Sequence, residues 1–166
     1  MSLGRDSYFI STDPALLDLE FLQRGLNSTY WAANRSREVI ESSIKGSLCF
    51  GVYEKESKRQ VGFARVVTDK VTFSWVCDVF VAEANRKHGL GKWLIESVVN
   101  HPDVKRTTCI LGTRDAHGLY EKFGFVRSEL MRRPTEGANQ ALLPTPTSVT
   151  HPAGAGCAPA AVAADL

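Results

Sequence analysis

Short runs rich in apolar, β-branched and aromatic residues predict strands through much of the chain. Residues 48–54 and 60–68 are rich in β-branched and aromatic residues and flank a charged turn, which predicts a hairpin. Residues 71–81 form a longer apolar run, typical of one or two strands with a turn near residues 72–74. Shorter strands are predicted at residues 7–11, 107–112 and 124–127.

Helical spacing of apolar residues predicts four helices, at residues 16–25, 35–44, 89–100 and 115–123. Asp13 and Pro14 are typical of an N-cap and a first helical residue, and Gly25 is expected to end that first helix. Val39 and Ile40 are expected to face the core from the second helix. Strands joined first by turns and then by helices predict an α/β (α+β) fold, with a mixed, mostly antiparallel central sheet flanked by helices on both faces.

Composition divides the 166 residues into a folded body and a tail. Residues 138–166 contain no Lys, Arg or Glu, and they hold four of the seven prolines. Such a segment buries too little apolar surface to offset the entropy lost on ordering, so we expect residues 138–166 to be a disordered Ala/Pro-rich tail. Residues 1–137 are then expected to form one domain.

Charge, hydropathy and cysteine spacing exclude several classes of protein. The formal net charge is +2 and no block of basic residues occurs, which argues against binding to nucleic acid. The body has no apolar run of membrane-spanning length and the N-terminus does not resemble a signal peptide, so we expect a cytoplasmic protein without a membrane partner. The four cysteines are widely separated, so we expect no metal.

Candidate chemistry is concentrated in residues 78–94, where an apolar strand leads into a glycine-containing loop and a helix. Glycines allow a ligand to approach the backbone closely, and the first N–H groups of a helix attract an anion such as a phosphate. The segment is not a Walker A loop, because Trp93 follows Lys92, and it is not a Rossmann fingerprint, because Leu94 stands where the third glycine would be.

The remaining motif, Arg86, Gly89 and Gly91 in Arg-x-x-Gly-x-Gly order, resembles the acetyl-CoA signature of the GNAT superfamily of N-acetyltransferases. A second segment, DAHGLYEKFGFV, is similar to the other hallmark of that family, a short helix with a Leu-Tyr-x-Lys-x-Gly-Phe pattern. The two motifs occur in the family's order and are separated by a predicted strand. The resemblance covers residues 7 to about 133 and leaves the tail outside it.

The resemblance implies an acetyl-CoA site on the predicted strand and the loop that follows it. Backbone amides of residues 87–92 would hold the pyrophosphate, and the strand, diverging from its neighbour, would offer the backbone groups of Val79 and Val81 to the acetyl carbonyl and the pantetheine arm. The implied cofactor-binding residues are Val79, Phe80, Val81, Arg86, Lys87, His88, Gly89, Leu90, Gly91 and Lys92.

The resemblance also implies that Tyr120 is a general acid near the thioester sulfur, with core packing as the alternative. Asp78 is the only carboxylate inside its apolar run, so it is a candidate base or substrate anchor, with a structural hydrogen-bonding role as the alternative. Tyr30 and Trp31 fall where the acceptor pocket of the family lies, and Trp31 fits core packing equally well. Asp115 is expected to cap the helix that follows it.

The sequence therefore predicts an enzyme that moves an acetyl group from acetyl-CoA to a primary amine by direct attack in a ternary complex. The family often has Asn seven residues before the tyrosine and Glu on the fourth strand, whereas this chain has Thr113 and the pair Cys77-Asp78. The sequence identifies neither the acceptor, a small molecule or a peptide, nor the oligomeric state, for which a homodimer is one alternative. A non-catalytic acyl-CoA-binding module that contacts a partner protein is the alternative.

Overall fold

One mixed five-stranded sheet is the centre of the structure, a computed structural model that describes residues 5–133. The strands are β1 (Tyr8–Ser11), β2 (Leu48–Glu54), β3 (Gln60–Thr68), β4 (Phe73–Val81) and β5 (Thr108–Ile110), and they lie in the sheet in that order. The first four pair in antiparallel fashion, and β5 pairs parallel to β4. The predicted fold class is confirmed. The predicted tail, residues 138–166, lies outside the described residues, and the boundary at residue 137 stays a prediction.

Four α-helices pack on this sheet within the described range: α1 (Leu19–Asn27), α2 (Arg37–Lys45), α3 (Leu90–Val99) and α4 (His117–Tyr120). The N-cap of α1 is Asp18, whose carboxylate accepts the N–H groups of Glu20 and Phe21 at 3.0 Å. The predicted cap, Asp13, instead caps a separate 3₁₀ turn at Pro14–Leu16. Because that turn uses the proline, α1 begins three residues later than predicted.

The core has one apolar layer on each face of the sheet. Between the sheet and α3 lie buried side chains that include Phe50, Val66 and Leu94, and on the other face Leu22 and Ile40 belong to a cluster under α1 and α2. Full burial of one such side chain contributes roughly 1.5–3 kcal/mol. The prediction that helices cover both faces is therefore confirmed.

Several local predictions are wrong for identifiable physical reasons. Gly25 lies inside α1 and does not end it, because the site is needed for packing: a Cβ there would lie 2.2 Å from Cε2 of Phe80. Val39 is exposed because the buried stripe of α2 runs through Ile40. The expected turn at residues 72–74 lies earlier, where the Asp69 carboxylate accepts backbone N–H groups, so β4 is one unbroken strand.

The end of the described chain also differs from its prediction. The expected helix at residues 115–123 consists of α4 and a 3₁₀ turn at Glu121–Phe123, which ends at Gly124 with a left-handed φ of 81°. The expected strand at residues 124–127 is absent from the described residues, because no neighbouring strand pairs with it. Val126 is 84% exposed, as expected for a segment without a sheet partner.

Candidate active site

A cavity of about 600 Å³ opens where β4 and β5 separate. The two strands pair only from Phe73–Thr108 to Trp75–Ile110, so the second half of β4 has no described partner on that side. The cavity is lined by the end of β4, the loop before α3, the end of α1 with the loop after it, and α4. The predicted divergence of β4 from its neighbour is confirmed.

The backbone of β4 turns toward this cavity beyond a β-bulge. Pairing with β3 changes from Phe63–Phe80 to Arg65–Cys77, so two residues of β4, Asp78 and Val79, oppose one residue of β3. Asp78 has a left-handed φ of 53°, which Asp tolerates better than most residues. The bulge therefore shifts which β4 side chains face each side of the sheet.

Hydrogen bonding fixes which backbone groups face the gap. The N–H of Ala82 donates to the Val61 carbonyl at 2.8 Å, so the polar groups of Ala82 are directed to β3. Because this direction alternates along an antiparallel strand, the N–H groups of Val79 and Val81 point to the opposite side, into the gap. Val79, Phe80 and Val81 all line the cavity.

The glycine loop is anchored to the sheet at its beginning. Asn85 is buried, and its side-chain amide donates to the Tyr8 hydroxyl at 3.2 Å and to Glu54 at 3.3 Å. The Arg86 guanidinium donates to the Val81 carbonyl at 3.3 Å. The loop enters α3 through Gly89, whose left-handed φ of 72° favours glycine. These contacts hold the loop beside the open end of β4.

The first N–H groups of α3 are available to an anion. Trp93 donates to the Gly89 carbonyl, and the amides before it have no carbonyl within the helix. A Cβ at Gly89 or Gly91 would meet no protein atom within 4 Å, so the space beside these glycines is open. The loop residues thus fit a phosphate-bearing group, which helix N-termini favour.

Not every predicted cofactor-binding residue borders the cavity. Arg86 and Gly91 line it, whereas Lys87, His88, Gly89, Leu90 and Lys92 do not. The Leu90 side chain lies in the core, and Nδ1 of His88 lies 3.2 Å from the Asn85 carbonyl. Lys87 and Lys92 are exposed, so their side chains as well as the loop backbone remain accessible at the surface.

Tyr120 lines the cavity from α4 and is 9% exposed. Its ring packs against Phe125 with centroids 5.7 Å apart. Burial, with smaller effects of Tyr30 and Asp115, raises the pKa of Tyr120 to about 12. The phenol therefore carries its proton at neutral pH, as a general acid must.

Asp78 does not line the cavity. Its carboxylate is 3% exposed and forms ion pairs with Arg35 and Arg65, each at 2.7 Å. These contacts favour the structural role over the role of base or substrate anchor that the sequence also predicts. The sequence could not reveal this pairing, because Arg35 is 43 residues away in the chain.

The aromatic pair Tyr30 and Trp31 lines the cavity from the loop between α1 and α2. The two rings meet edge to face with centroids 4.7 Å apart. Nε1 of Trp31 is buried and has no hydrogen-bond partner among the described residues. The Arg114 guanidinium, from the loop before α4, lies 3.7 Å from the centre of the Tyr30 ring. We call Tyr30 and Trp31 the acceptor wall.

Several cavity residues are not among the predicted site residues. α1 and the residues after it contribute Phe21, Arg24, Gly25, Ser28 and Thr29. One sequence signal could have placed α1 at the site. A glycine inside a helical pattern marks close packing, and Gly25 packs against Phe80 of β4.

Asp115 also lines the cavity, together with Glu83 and Leu119. The expectation that Asp115 caps α4 is wrong, because the N-cap position belongs to Ala116 and carries no side-chain cap bond. The Asp115 carboxylate is thereby left on the cavity wall near Tyr120, on whose pKa it acts.

Residues 5–133 contain no group of three or more His, Cys, Asp or Glu side chains arranged to hold a metal ion. No helix in the same range combines the length and the apolar composition needed to cross a bilayer.

Comparisons with known proteins agree with this architecture. A family model of the GNAT acetyltransferase domain matches residues 45–127. A candidate acetyltransferase of Gibberella zeae is 30% identical over 140 residues, which cover 71% of this chain and 78% of that protein. A crystal structure of a candidate GNAT-family acetyltransferase from Xanthomonas campestris pv. campestris is 39% identical, with a TM-score of 0.72, and the match covers 78% of this chain and 94% of that chain.

A third match concerns the fold alone, because its sequence identity is low. The crystal structure of a GNAT family acetyltransferase from Elizabethkingia anophelis with acetyl-CoA bound is 19% identical and has a TM-score of 0.57. That match covers 75% of this chain and 79% of the other.

Proposed function

The chain belongs to the GNAT acetyltransferases, and from that premise we propose that it transfers an acetyl group from acetyl-CoA to a primary amine by direct attack in a ternary complex. One observation carries the proposal: the outward backbone of β4 and the buried Tyr120 line the same cavity, next to an open glycine loop. A thioester whose carbonyl is held at β4 would therefore have a proton donor for its leaving sulfur in the same cavity.

Acetyl-CoA is the co-substrate that the loop fits best. The fold neighbour from Elizabethkingia anophelis has acetyl-CoA bound. In this chain, the open space beside Gly89 and Gly91 leaves room for a pyrophosphate against the first amides of α3. Arg86 stands at the start of the loop and lines the cavity, where its positive charge favours the same anion.

The β4 backbone would stabilise the charge that develops on the acetyl carbonyl oxygen. The N–H of Val79 points into the gap and follows directly after the bulge. A donor fixed in advance costs little reorganisation during the reaction, and removing one such donor typically costs about 10²–10³-fold in rate. Val79 is therefore the proposed oxyanion donor.

Proton transfer needs an acceptor for the amine and a donor for the leaving thiolate. Tyr120, protonated at neutral pH, would give its proton to the sulfur as the C–S bond breaks. A lysine-like amine titrates near ~10 and is mostly protonated at pH 7, so it must lose a proton before it attacks. Asp115 is the proposed anchor and proton acceptor, because it lines the cavity near Tyr120 and Asp78 does not.

A covalent route through Cys77 is less well supported. Burial raises the pKa of the Cys77 thiol to about 12, and Cys77 does not line the cavity. Because the thiolate is the nucleophilic form, a thiol that stays protonated is a poor nucleophile. Direct transfer from acetyl-CoA to the amine needs no such intermediate.

The deciding experiment measures coenzyme A release by the purified chain with acetyl-CoA and a panel of amines: a small amine, an amino acid, a peptide N-terminus and a lysine side chain. Calorimetry measures acetyl-CoA binding in parallel. Release with at least one amine supports the proposal. Binding without release from any amine supports the alternative, a non-catalytic acyl-CoA-binding module, and absence of both overturns the acetyl-CoA site.

Asp115→Asn tests the proposed amine anchor. Loss of the carboxylate should raise KM for a cationic amine about tenfold and, because the proton acceptor is lost with it, lower kcat by about 10²-fold, with acetyl-CoA affinity nearly unchanged. Glu121→Gln is the matched control, because it removes an exposed carboxylate six residues further on that does not line the cavity. Equal amine KM values in the two variants would remove Asp115 from the site.

A further inference from the structure

We propose that Arg35, Asp78 and Arg65 form a positioning triad that fixes the acceptor wall relative to the acetyl-binding end of β4. We call these three residues the Asp78 triad. The inference deepens the proposed function and rests on it, since it concerns how the two halves of that site are held together. In this interpretation Asp78 touches neither substrate and acts through the segments that it connects.

The contacts of the triad converge on one carboxylate oxygen. Nη1 of Arg35 and Nε of Arg65 both donate to Oδ2 of Asp78 at 2.7 Å. Arg65 extends the network with a donation from Nη1 to the Ser47 hydroxyl at 3.1 Å. The side chain of Asp78 is 3% exposed, against 14% for Arg65 and 22% for Arg35, so its charge is the most deeply buried.

The triad holds the bulge in β4. Asp78 is the residue with left-handed φ at the point where the β3–β4 register shifts. A one-residue shift of this kind exchanges the faces that the following side chains occupy. Beyond it, Val79 and Val81 pack on the α3 side, while Phe80 packs on the α1 side. The ion pairs thus fix the conformation that aims the Val79 and Val81 amides into the cavity.

The same carboxylate holds the acceptor wall from the other side. Arg35 ends the loop that carries Tyr30 and Trp31, and its backbone N–H donates to the Ala32 carbonyl at 3.1 Å. Ala32 is buried and is the chain neighbour of Trp31. A displacement of Arg35 would therefore also displace the acceptor wall. Asp78 therefore joins two cavity walls that come from distant parts of the chain.

Two guanidinium groups share the Asp78 carboxylate. This arrangement fits a positioning role better than the role of a catalytic base. As a base, Asp78 would need access to the amine, whereas its carboxylate pairs with two cations of the described residues 5–133 and does not line the cavity. Removing Asp78 would leave two cations facing one another in a partly buried site. Removing Arg35 leaves a matched pair, Asp78 with Arg65, so Arg35 variants are the gentler test of the triad.

The main experiment compares Arg35→Gln with Arg37→Gln in the full chain. Arg37 is the matched control, because it also pairs with a carboxylate at 2.8 Å, but on the exposed surface of α2. We expect Arg35→Gln to raise the amine KM about tenfold while acetyl-CoA Kd by calorimetry changes less than about twofold. Arg37→Gln should leave both values unchanged, and Arg35→Lys, which keeps the charge, should restore part of the amine KM.

A double-mutant cycle separates positioning from base catalysis. If the triad acts as one unit, Asp78→Asn combined with Arg35→Gln should change the amine kcat/KM by clearly less than the product of the two single effects. If Asp78 is the base, Asp78→Asn should lower kcat by about 10²-fold while Arg35→Gln behaves like Arg37→Gln. The second pattern overturns the proposal.

A measurement without turnover keeps the inference independent of the proposed function. In a background of Trp75→Phe and Trp93→Phe, the emission of Trp31 reports on the acceptor wall. We expect Arg35→Gln to shift that emission and Arg37→Gln to leave it unchanged; an unshifted spectrum in Arg35→Gln contradicts the triad. If the wild-type chain releases no coenzyme A with any amine, the proposed function is overturned. The spectral comparison would still test whether the Asp78 triad positions the acceptor wall.

Discussion

The guanidinium of Arg114 lies 3.7 Å from the centre of the Tyr30 ring, and the backbone N–H of Arg114 donates to the Tyr30 phenol oxygen at 3.3 Å. These residues are 84 positions apart in the chain, and Tyr30 lines the cavity whereas Arg114 does not. The cation–π contact and the hydrogen bond therefore join the loop before α4 to the acceptor wall. We expect this contact to control access of the amine.

Arg114→Ala should raise the amine KM about threefold, because an exposed cation–π contact stabilises by roughly 0.5–1 kcal/mol. Steady-state kinetics with a verified amine measures the change, and acetyl-CoA affinity should stay within about twofold. Arg106→Ala, which removes an exposed arginine away from the cavity, is the control. A KM equal to that of Arg106→Ala would show that the contact has no part in amine binding.

Gly91→Glu should separate ligand binding from stability. The site is open, so the fold can accommodate a side chain, and a carboxylate in the first turn of α3 is favourable to the helix dipole. The same side chain would fill the space proposed for the pyrophosphate and repel its charge. We expect acetyl-CoA Kd by calorimetry to rise at least about tenfold, with the melting temperature unchanged or slightly higher.

Gly46→Glu provides the matched control for this prediction, since Gly46 is equally open and does not line the cavity. Acetyl-CoA should bind to that variant as it does to the wild type. Unchanged affinity in Gly91→Glu would place the pyrophosphate elsewhere.

Local patterns predicted most of the sheet and the position of the glycine loop. The bounds of β2 and β3 follow from their β-branched and aromatic residues and from the charged turn between them, because a hairpin is stabilised between neighbours in the chain. The loop motif Arg86, Gly89 and Gly91 is equally local. The strand predicted at residues 124–127 is wrong. Strand pairing there depends on a neighbour distant in the chain, which the local sequence does not reveal.

The candidate site likewise contains some features that the local sequence predicts and others that it does not. The phenol of Tyr120 and the aromatic residues of the acceptor wall could be predicted, because short motifs and position in the fold identify them. The ion pairs of Asp78 and the cavity position of Asp115 could not, since both depend on how separate elements meet in space. A lone carboxylate in an apolar run indicates a partner but does not say which one.

Tyr120→Phe should lower kcat by about 10²-fold while acetyl-CoA Kd changes less than about twofold, because the ring and its contact with Phe125 remain and only the acidic proton is lost. Since burial raises the pKa of Tyr120 to about 12, the phenol stays protonated through the usual assay range. Deprotonation of Tyr120 should therefore cause no decrease in kcat between pH 7 and 9. Wild-type turnover in Tyr120→Phe would remove it as the general acid.

Tyr53 and Tyr8 are both buried, but their hydroxyl groups differ in hydrogen bonding. The hydroxyl of Tyr53 is buried without a partner among the described residues, and it packs so closely over Gly51 that a Cβ there would lie 2.2 Å away. The hydroxyl of Tyr8, in contrast, accepts a hydrogen bond from Asn85 at 3.2 Å. A buried polar group without a partner destabilises a fold, whereas a satisfied one contributes about 1 kcal/mol.

At pH 7, Tyr53→Phe should leave the free energy of unfolding unchanged or raise it by up to about 1 kcal/mol, and Tyr8→Phe should lower it by about 1 kcal/mol. Denaturant unfolding monitored by fluorescence measures both variants. The pair is matched, because each change removes one hydroxyl from a ring that is 2% exposed in the wild-type fold. A loss of stability in Tyr53→Phe equal to that in Tyr8→Phe would mean that the Tyr53 hydroxyl has a partner after all.

The pH dependence of Tyr53 provides a second test with a defined sign. Burial raises the pKa of Tyr53 to about 12, above its value of about 10 in an unfolded chain. The fold therefore carries no ionisation penalty at Tyr53 below about pH 10, and stability is lost as the pH rises from 10 toward 12, because the unfolded chain ionises there before the folded one does. Between pH 8 and 11 the wild type should lose about 1 kcal/mol more stability than Tyr53→Phe, which has no ionisable group at that position. Parallel pH profiles for the two proteins would contradict a buried, neutral Tyr53 hydroxyl.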